Sequence, residues 1–199
     1  MKKEFIILED ASPFYVRFTF DGIEKLVLSC KNYLSFIKFS DEPFIHFKAP
    51  ENIGTSFINK LPFDEINLNG ARASFFITKS GYYYRAHKDG LDHRFSLNLT
   101  VEINDDLCIT NWYDEKELSK YSIDTLNGQS RECVNFSKEL HNPIKSMIAK
   151  EGEFILFNTE IFHDFDNSKS NNRRIVLTLR HNDPKNWYFE DIRKIIFNR

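Results

Sequence analysis

Gly152 to Arg180, GEFILFNTEIFHDFDNSKSNNRRIVLTLR, decides how the rest of the chain is read. Behind Gly152, Glu153 to Phe157 is a short and nearly all-apolar run of the kind that forms a buried strand. Ile161 to Phe165 sets His163 among aromatic residues, and a polar loop from Asn167 to Asn172 follows. Arg174, Val176 and Thr178 then alternate with Ile175, Leu177 and Leu179, the period of two of a half-buried strand. The stretch predicts strand, turn, strand, loop, strand. It puts one histidine and one arginine on neighbouring strands, both facing inward.

Upstream, Arg94 to Ile103 (RFSLNLTVEI) alternates most clearly. Phe95, Leu97, Leu99 and Val101 form one face; Arg94, Ser96, Asn98, Thr100 and Glu102 form the other. Ala71 to Thr78 and Tyr82 to His87 read as strands joined by Lys79-Ser80-Gly81, and Asn104-Asp105-Asp106 turns into a strand from Leu107 to Tyr113. Asp114 to Lys150 is polar and mixed, with a short helix expected near Asn135 to His141, and is where an insertion or lid would lie.

Phe14 to Phe20 alternates as a strand, and Asp21-Gly22 offers a turn. Beyond it Ile23, Leu26, Val27, Cys30, Leu34 and Ile37 stand at helical spacing. That favours a helix from Gly22 to Lys38 over a hairpin in which Leu26 to Leu28 would be strand. Ser40 to Gly70 reads as loop-rich, broken at Pro43, Pro50, Gly54 and Pro62. At the other end Asp183 and Pro184 make a cap and first-turn pair for a closing helix carrying Trp187, Ile192, Ile195 and Ile196. Many short strands between turn signals predict a mainly β sandwich or jelly roll with helices added at the two ends.

The chain of 199 residues suits a single domain with a real core. Its twenty phenylalanines favour a sheet-rich interior packed with aromatic rings. A net charge of -2 gives no overall field for nucleic acid or an anionic membrane. Cys30, Cys108 and Cys133 are odd in number and widely spaced, which points to a reducing compartment. The start, MKKEFIILED, holds too short an apolar run for a signal peptide, and no run approaches a membrane span. A cytoplasmic protein is expected.

Chemistry gathers at His87-Lys88-Asp89. Residues two apart at a strand end face the same way, so imidazole and carboxylate can grip one ion. With His163 they make two histidines and a carboxylate, a set that leaves adjacent positions open and suits Fe(II) in oxygen-activating enzymes. Arg174 adds a planar fork for a carboxylate deep in the barrel. Each has a plainer reading: an Asx turn before Gly90 for Asp89, a packed strand histidine for His163, a surface ion pair for Arg174. A second triplet, His181-Asn182-Asp183, is better explained by the cap role of Asp183.

The pattern HKDG…RFSLNLTV…WY…GEFILFNTEIFHDFDNS…RRIVLTLR resembles the Fe(II)/2-oxoglutarate-dependent oxygenase superfamily, in particular its small members similar to aspartyl/asparaginyl β-hydroxylases and free-proline hydroxylases. The resemblance covers Ala71 to Arg180. It implies a double-stranded β-helix, cupin-like, with 1–70 as an N-terminal extension packing on the barrel, 71–180 as the jelly-roll core and 181–199 as a C-terminal helix. It implies that His87, Asp89 and His163 ligate Fe(II) and that Arg174 anchors the distal carboxylate of 2-oxoglutarate. Arg173 also stands where the family places this arginine; Arg174 is preferred because it shares a face with Val176 and Thr178. Asn98 is a further candidate for the cofactor carboxylate, against ordinary cross-strand bonding. Arg85 or Arg94 would hold a substrate carboxylate, Tyr83 and Arg85 sharing a face with His87 if the strand runs regularly, and Trp112 and Tyr113 would wall the pocket. The implied activity is O2-dependent hydroxylation of a C–H bond in an amino acid or peptide side chain, with succinate and CO2 as co-products. The partner is then a small molecule or peptide, with no membrane. The rivals are a cupin-type metal-binding or isomerase module without oxygenase activity, and an oxidative demethylase of nucleic acid, against which the near-neutral charge speaks.

Overall fold

A computed structural model gives the fold and describes residues 4–61, 72–89, 94–116, 118, 121–126, 129–134, 142–180 and 187–197. The strands form two sheets in which every neighbouring pair is antiparallel. The seven-stranded sheet runs in the order β1 (Phe5–Ala11), β2 (Tyr15–Phe20), β11 (Phe154–Asn158), β6 (Phe95–Glu102), β13 (Arg174–Arg180), β4 (Arg72–Thr78), β3 (Phe44–Lys48). The six-stranded sheet runs β10 (Lys145–Met147), β7 (Ile109–Trp112), β12 (His163–Asp166), β5 (Tyr83–Lys88), β9 (Gln129–Val134), β8 (Tyr121–Leu126). From β4 to β7, and again from β10 to β13, each successive strand crosses to the other sheet. That alternation is the double-stranded β-helix, or jelly roll, expected from the strand pattern.

The main apolar core lies outside the barrel. Phe75, Ile77, Leu97, Leu99, Phe154, Leu156, Ile175 and Leu177 turn one face of the large sheet onto α1 (Ile23–Leu34), α2 (Glu51–Lys60) and α3 (Phe189–Phe197). Phe154 stacks on Phe18, Phe20 and Phe57, all buried, with ring centroids 5.3–5.4 Å apart. Each such phenylalanine contributes about 1.5–3 kcal/mol through burial. A second cluster (Tyr15, Trp112, Met147, Ala149, Ile155, Phe157) fills one part of the space between the sheets.

Helix wins over hairpin after Asp21-Gly22. Ile23, Leu26, Val27, Cys30 and Leu34 are the buried stripe of α1, and Gly22 enters it at φ 84°, a left-handed backbone open to glycine at little cost. The helix ends at Leu34, short of Lys38, leaving Phe36 exposed. The segment read as loop-rich holds β3 and α2: Pro50 starts α2 as its cap rather than breaking it, and β3 owes its form to pairing with the distant β4. In the polar stretch after Asp114, β8 and β9 form a hairpin that adds to the edge of β5, and β10 pairs with β7. The helix expected near Asn135 to His141 and the Asp183-Pro184 cap lie outside the described residues. No helix among the described residues is long and apolar enough to cross a membrane.

Candidate metal centre

β5 and β12 run side by side with His87 directly opposite His163. Partners in an antiparallel pair point to the same face with their Cβ atoms about 5 Å apart, so pairing alone brings the two imidazoles together. Their ring centroids are 4.5 Å apart. His87 Nδ1 lies 3.0 Å from the carbonyl oxygen of Arg85, and His163 Nδ1 lies 2.8 Å from that of Ile161. A carbonyl oxygen only accepts, so each Nδ1 carries a proton and Nε2 is the nitrogen through which each ring would take a metal. Asp89 follows the end of β5, where its N–H donates to Thr159 O at 3.2 Å. Its Oδ1 is 3.7 Å from His87 Nε2. The ligand atoms of His87, Asp89 and His163 all lie within 4.8 Å of one another, and all three residues are buried. Two imidazoles and one carboxylate on one face of a point are the donor set that suits non-haem Fe(II).

The triad lines a cavity between the sheets with about 580 Å³ of free space, its mouth included. Arg174 enters from β13 and is 4% exposed. Its guanidinium lies 5.0 Å above the Phe165 ring, which in turn is 5.9 Å from the ring of His163. Its Nη1 donates to Thr110 Oγ1 at a long 3.3 Å and the guanidinium also bonds the Cys108 thiol; its Nε has no partner, and no carboxylate pairs with it among the described residues. A buried cation left this way costs several kcal/mol unless an anion joins it, so the place is made for one. Asn98 lines the same cavity, with its Oδ1 also buried and without a partner among the described residues. Arg173, one residue from Arg174, is turned outward: its Nε and Nη2 donate to Glu102 at 2.7 and 3.1 Å on the surface.

The expected substrate residues lie elsewhere. Between β5 and β12 the register slips, with His87 opposite His163 but Tyr84 opposite Phe165. The bulge gives β5 one extra residue and swaps the alternation, so Tyr84 rather than Tyr83 joins His87 at the cavity, and Arg85 does not line it. Arg94 packs its guanidinium 4.2 Å above the Tyr188 ring, away from the cavity. Trp112 is fully buried against Tyr15 and Phe157 in the second apolar cluster. Tyr113 is buried with Ala86 and Phe162 in a third apolar cluster, off the cavity, and donates to Asp164 Oδ2 at 2.6 Å. Asp164, fully buried, also accepts from the Asn111 N–H and Nδ2, and burial pushes its carboxyl up to about 6. This network ties β12 to β7 from behind His163.

Sequence reading missed Arg180, the last residue of β13. Its Nη2 donates to Asp89 Oδ2 at 3.1 Å and its guanidinium lies 5.4 Å above the Phe76 ring. The period of two from Arg174 through Val176 and Thr178 reaches Arg180, and this was the signal available. Phe44 and Phe76, also on the cavity wall, came with the unforeseen strand β3 and its partner β4.

No family model and no curated protein matches the sequence. Solved structures do match in shape. HygX from Streptomyces hygroscopicus, with nickel and 2-oxoglutarate bound, superposes with a TM-score of 0.59 over 87% of this chain and 84% of that one, at 9% identity. An oxidoreductase of the 2OG-Fe(II) oxygenase family from Burkholderia pseudomallei gives 0.56 over 86% and 87%, at 10% identity. The epimerase SnoN, in complex with Fe3+, alpha ketoglutarate and nogalamycin RO, gives 0.53 over 85% and 78%, at 9% identity. The chain has the fold of the 2OG-Fe(II) oxygenases. The resemblance read from the sequence therefore holds at the level of the fold.

Proposed function

We propose that the chain is a non-haem Fe(II)- and 2-oxoglutarate-dependent dioxygenase that hydroxylates a C–H bond of an amino acid or peptide side chain. One observation carries this reading: the His87, Asp89, His163 triad shares its cavity with a buried guanidinium, Arg174, that has no counter-charge among the described residues. Structures of this fold that hold a metal together with 2-oxoglutarate support it.

His87 Nε2, Asp89 Oδ1 and His163 Nε2 would hold the iron, and Arg174 would take the distal carboxylate of 2-oxoglutarate. When bound, iron and 2-oxoglutarate together supply the O2-dependent oxidising chemistry, with succinate and CO2 as co-products. The protein's work is placement. The carbonyl oxygens of Arg85 and Ile161 fix the imidazole tautomers, and Arg180 holds Asp89 Oδ2 so that Oδ1 is presented to the ion. Thr110 steadies the Arg174 fork, and the Phe165 ring fills the space between that fork and the histidines. Phe157, 4.6 Å from the His163 ring, excludes water from the closed side.

Purified protein given Fe(II), ascorbate and 2-oxoglutarate is expected to release succinate slowly even without substrate. Equal release by wild type and His87→Ala would refute the proposal.

A further inference from the structure

Arg180 is the second guanidinium of the cavity, and its bond to Asp89 uses only part of it. Its Nε is buried with no partner among the described residues. It stands on the same face of β13 as Arg174, with Cα atoms about 20 Å apart along an extended strand. The two lie on different walls, Arg174 on Phe165 and Thr110, Arg180 on Phe76 and Asp89. They mark two separate places for negative charge.

A charge tally says what the second place takes. Among the described residues lining the cavity, two guanidiniums face one carboxylate, and imidazoles that ligate a metal are neutral. A divalent ion and dianionic 2-oxoglutarate cancel each other, so the loaded cavity keeps one positive charge in a largely apolar setting. Such a charge favours an anion over a neutral ligand. Arg180 lies over the Phe76 ring, and from Phe76 the aromatic wall continues away from it through Phe44, 5.8 Å from Phe76 and 5.1 Å from Tyr84.

We propose that Arg180 docks an acid group of the substrate, which is therefore a carboxylate carried on an aromatic or apolar body that packs against Phe44, Phe76 and Tyr84. The proposal rests on the oxygenase reading and moves the substrate-acid role from Arg85 and Arg94 to Arg180.

The test is equilibrium binding, by calorimetry, of benzoate and of its neutral analogue benzamide. The protein is loaded with redox-inert Zn(II) and saturating 2-oxoglutarate, so that the Arg174 place is filled. Wild type is expected to prefer benzoate by about tenfold or more, the scale of one charge-assisted hydrogen bond. Arg180→Gln keeps a donor for Asp89 and should bring the preference close to one; Arg180→Lys should retain most of it. Phe76→Ala should weaken both ligands alike. Zn(II) and 2-oxoglutarate occupancy are measured in each variant, so that a loss of metal through Asp89 is told apart from the result. An unchanged preference in Arg180→Gln, or none in wild type, overturns the proposal while leaving the oxygenase reading intact. Failure of 2-oxoglutarate itself to bind the wild type overturns both.

Discussion

Leu97 and Leu99 on β6, and Ile175 and Leu177 on β13, press the large sheet onto three helices, while Ser96, Asn98, Arg174 and Thr178 from the same strands look into the cavity. One face is continuous apolar packing. The other carries a buried guanidinium Nε and a buried amide oxygen that have no hydrogen-bond partner among the described residues. The contrast shows how the fold tolerates an expensive site: the outer face, with stacked phenylalanines such as Phe154, supplies the stability that the inner face spends on unpaired polar groups.

The comparison breaks most readily at its outer face. Phe154→Ala removes a ring stacked on three others and should cost about 3–5 kcal/mol in denaturant unfolding, while folded protein still binds metal. On the inner face the effects should reverse. His163→Ala should lower metal affinity about a hundredfold, read by Co(II) or Zn(II) competition, with metal-free stability altered far less. A sharper contrast lies between adjacent residues: Arg174→Gln should weaken 2-oxoglutarate binding about tenfold or more, and Arg173→Ala should leave it unchanged, since Arg173 spends its charge on Glu102 at the surface.

The smallest effect belongs to neither face. Arg193 beside Asp10 holds that carboxyl below the usual aspartate range. A lowered folded pKa gives stability that is present above the ordinary aspartate value and is lost as pH falls through the folded one. Asp10→Asn should therefore lower the melting temperature slightly at neutral pH, by the equivalent of about 1 kcal/mol or less, and make no difference in strong acid.

Legibility followed the range of the interactions that decide each element. The alternation of β6 and β13 is local, so the faces of Asn98 and Arg174 could be read directly, as could the helical stripe of α1. His87 and His163 were legible as candidates because each stands on a short strand beside a strongly patterned one. β3 and the β8–β9 hairpin were not legible, because polar or proline-flanked segments become strands only through distant partners. The bulge in β5 depends on the slip against β12, and without it Tyr83 and Arg85 were placed where Tyr84 belongs. Arg180 ends its strand beside a polar segment, where the period of two was the one signal, and its contact with Asp89 shows that it turns inward.

The account stands on the triad and Arg174 acting as one binding site. Anaerobic titration of 2-oxoglutarate into Fe(II)-loaded protein tests this most directly. One equivalent should bind saturably to the wild type, and binding should fall sharply in both His163→Ala and Arg174→Gln. Binding that is absent from the wild type, or undiminished in either variant, would contradict it.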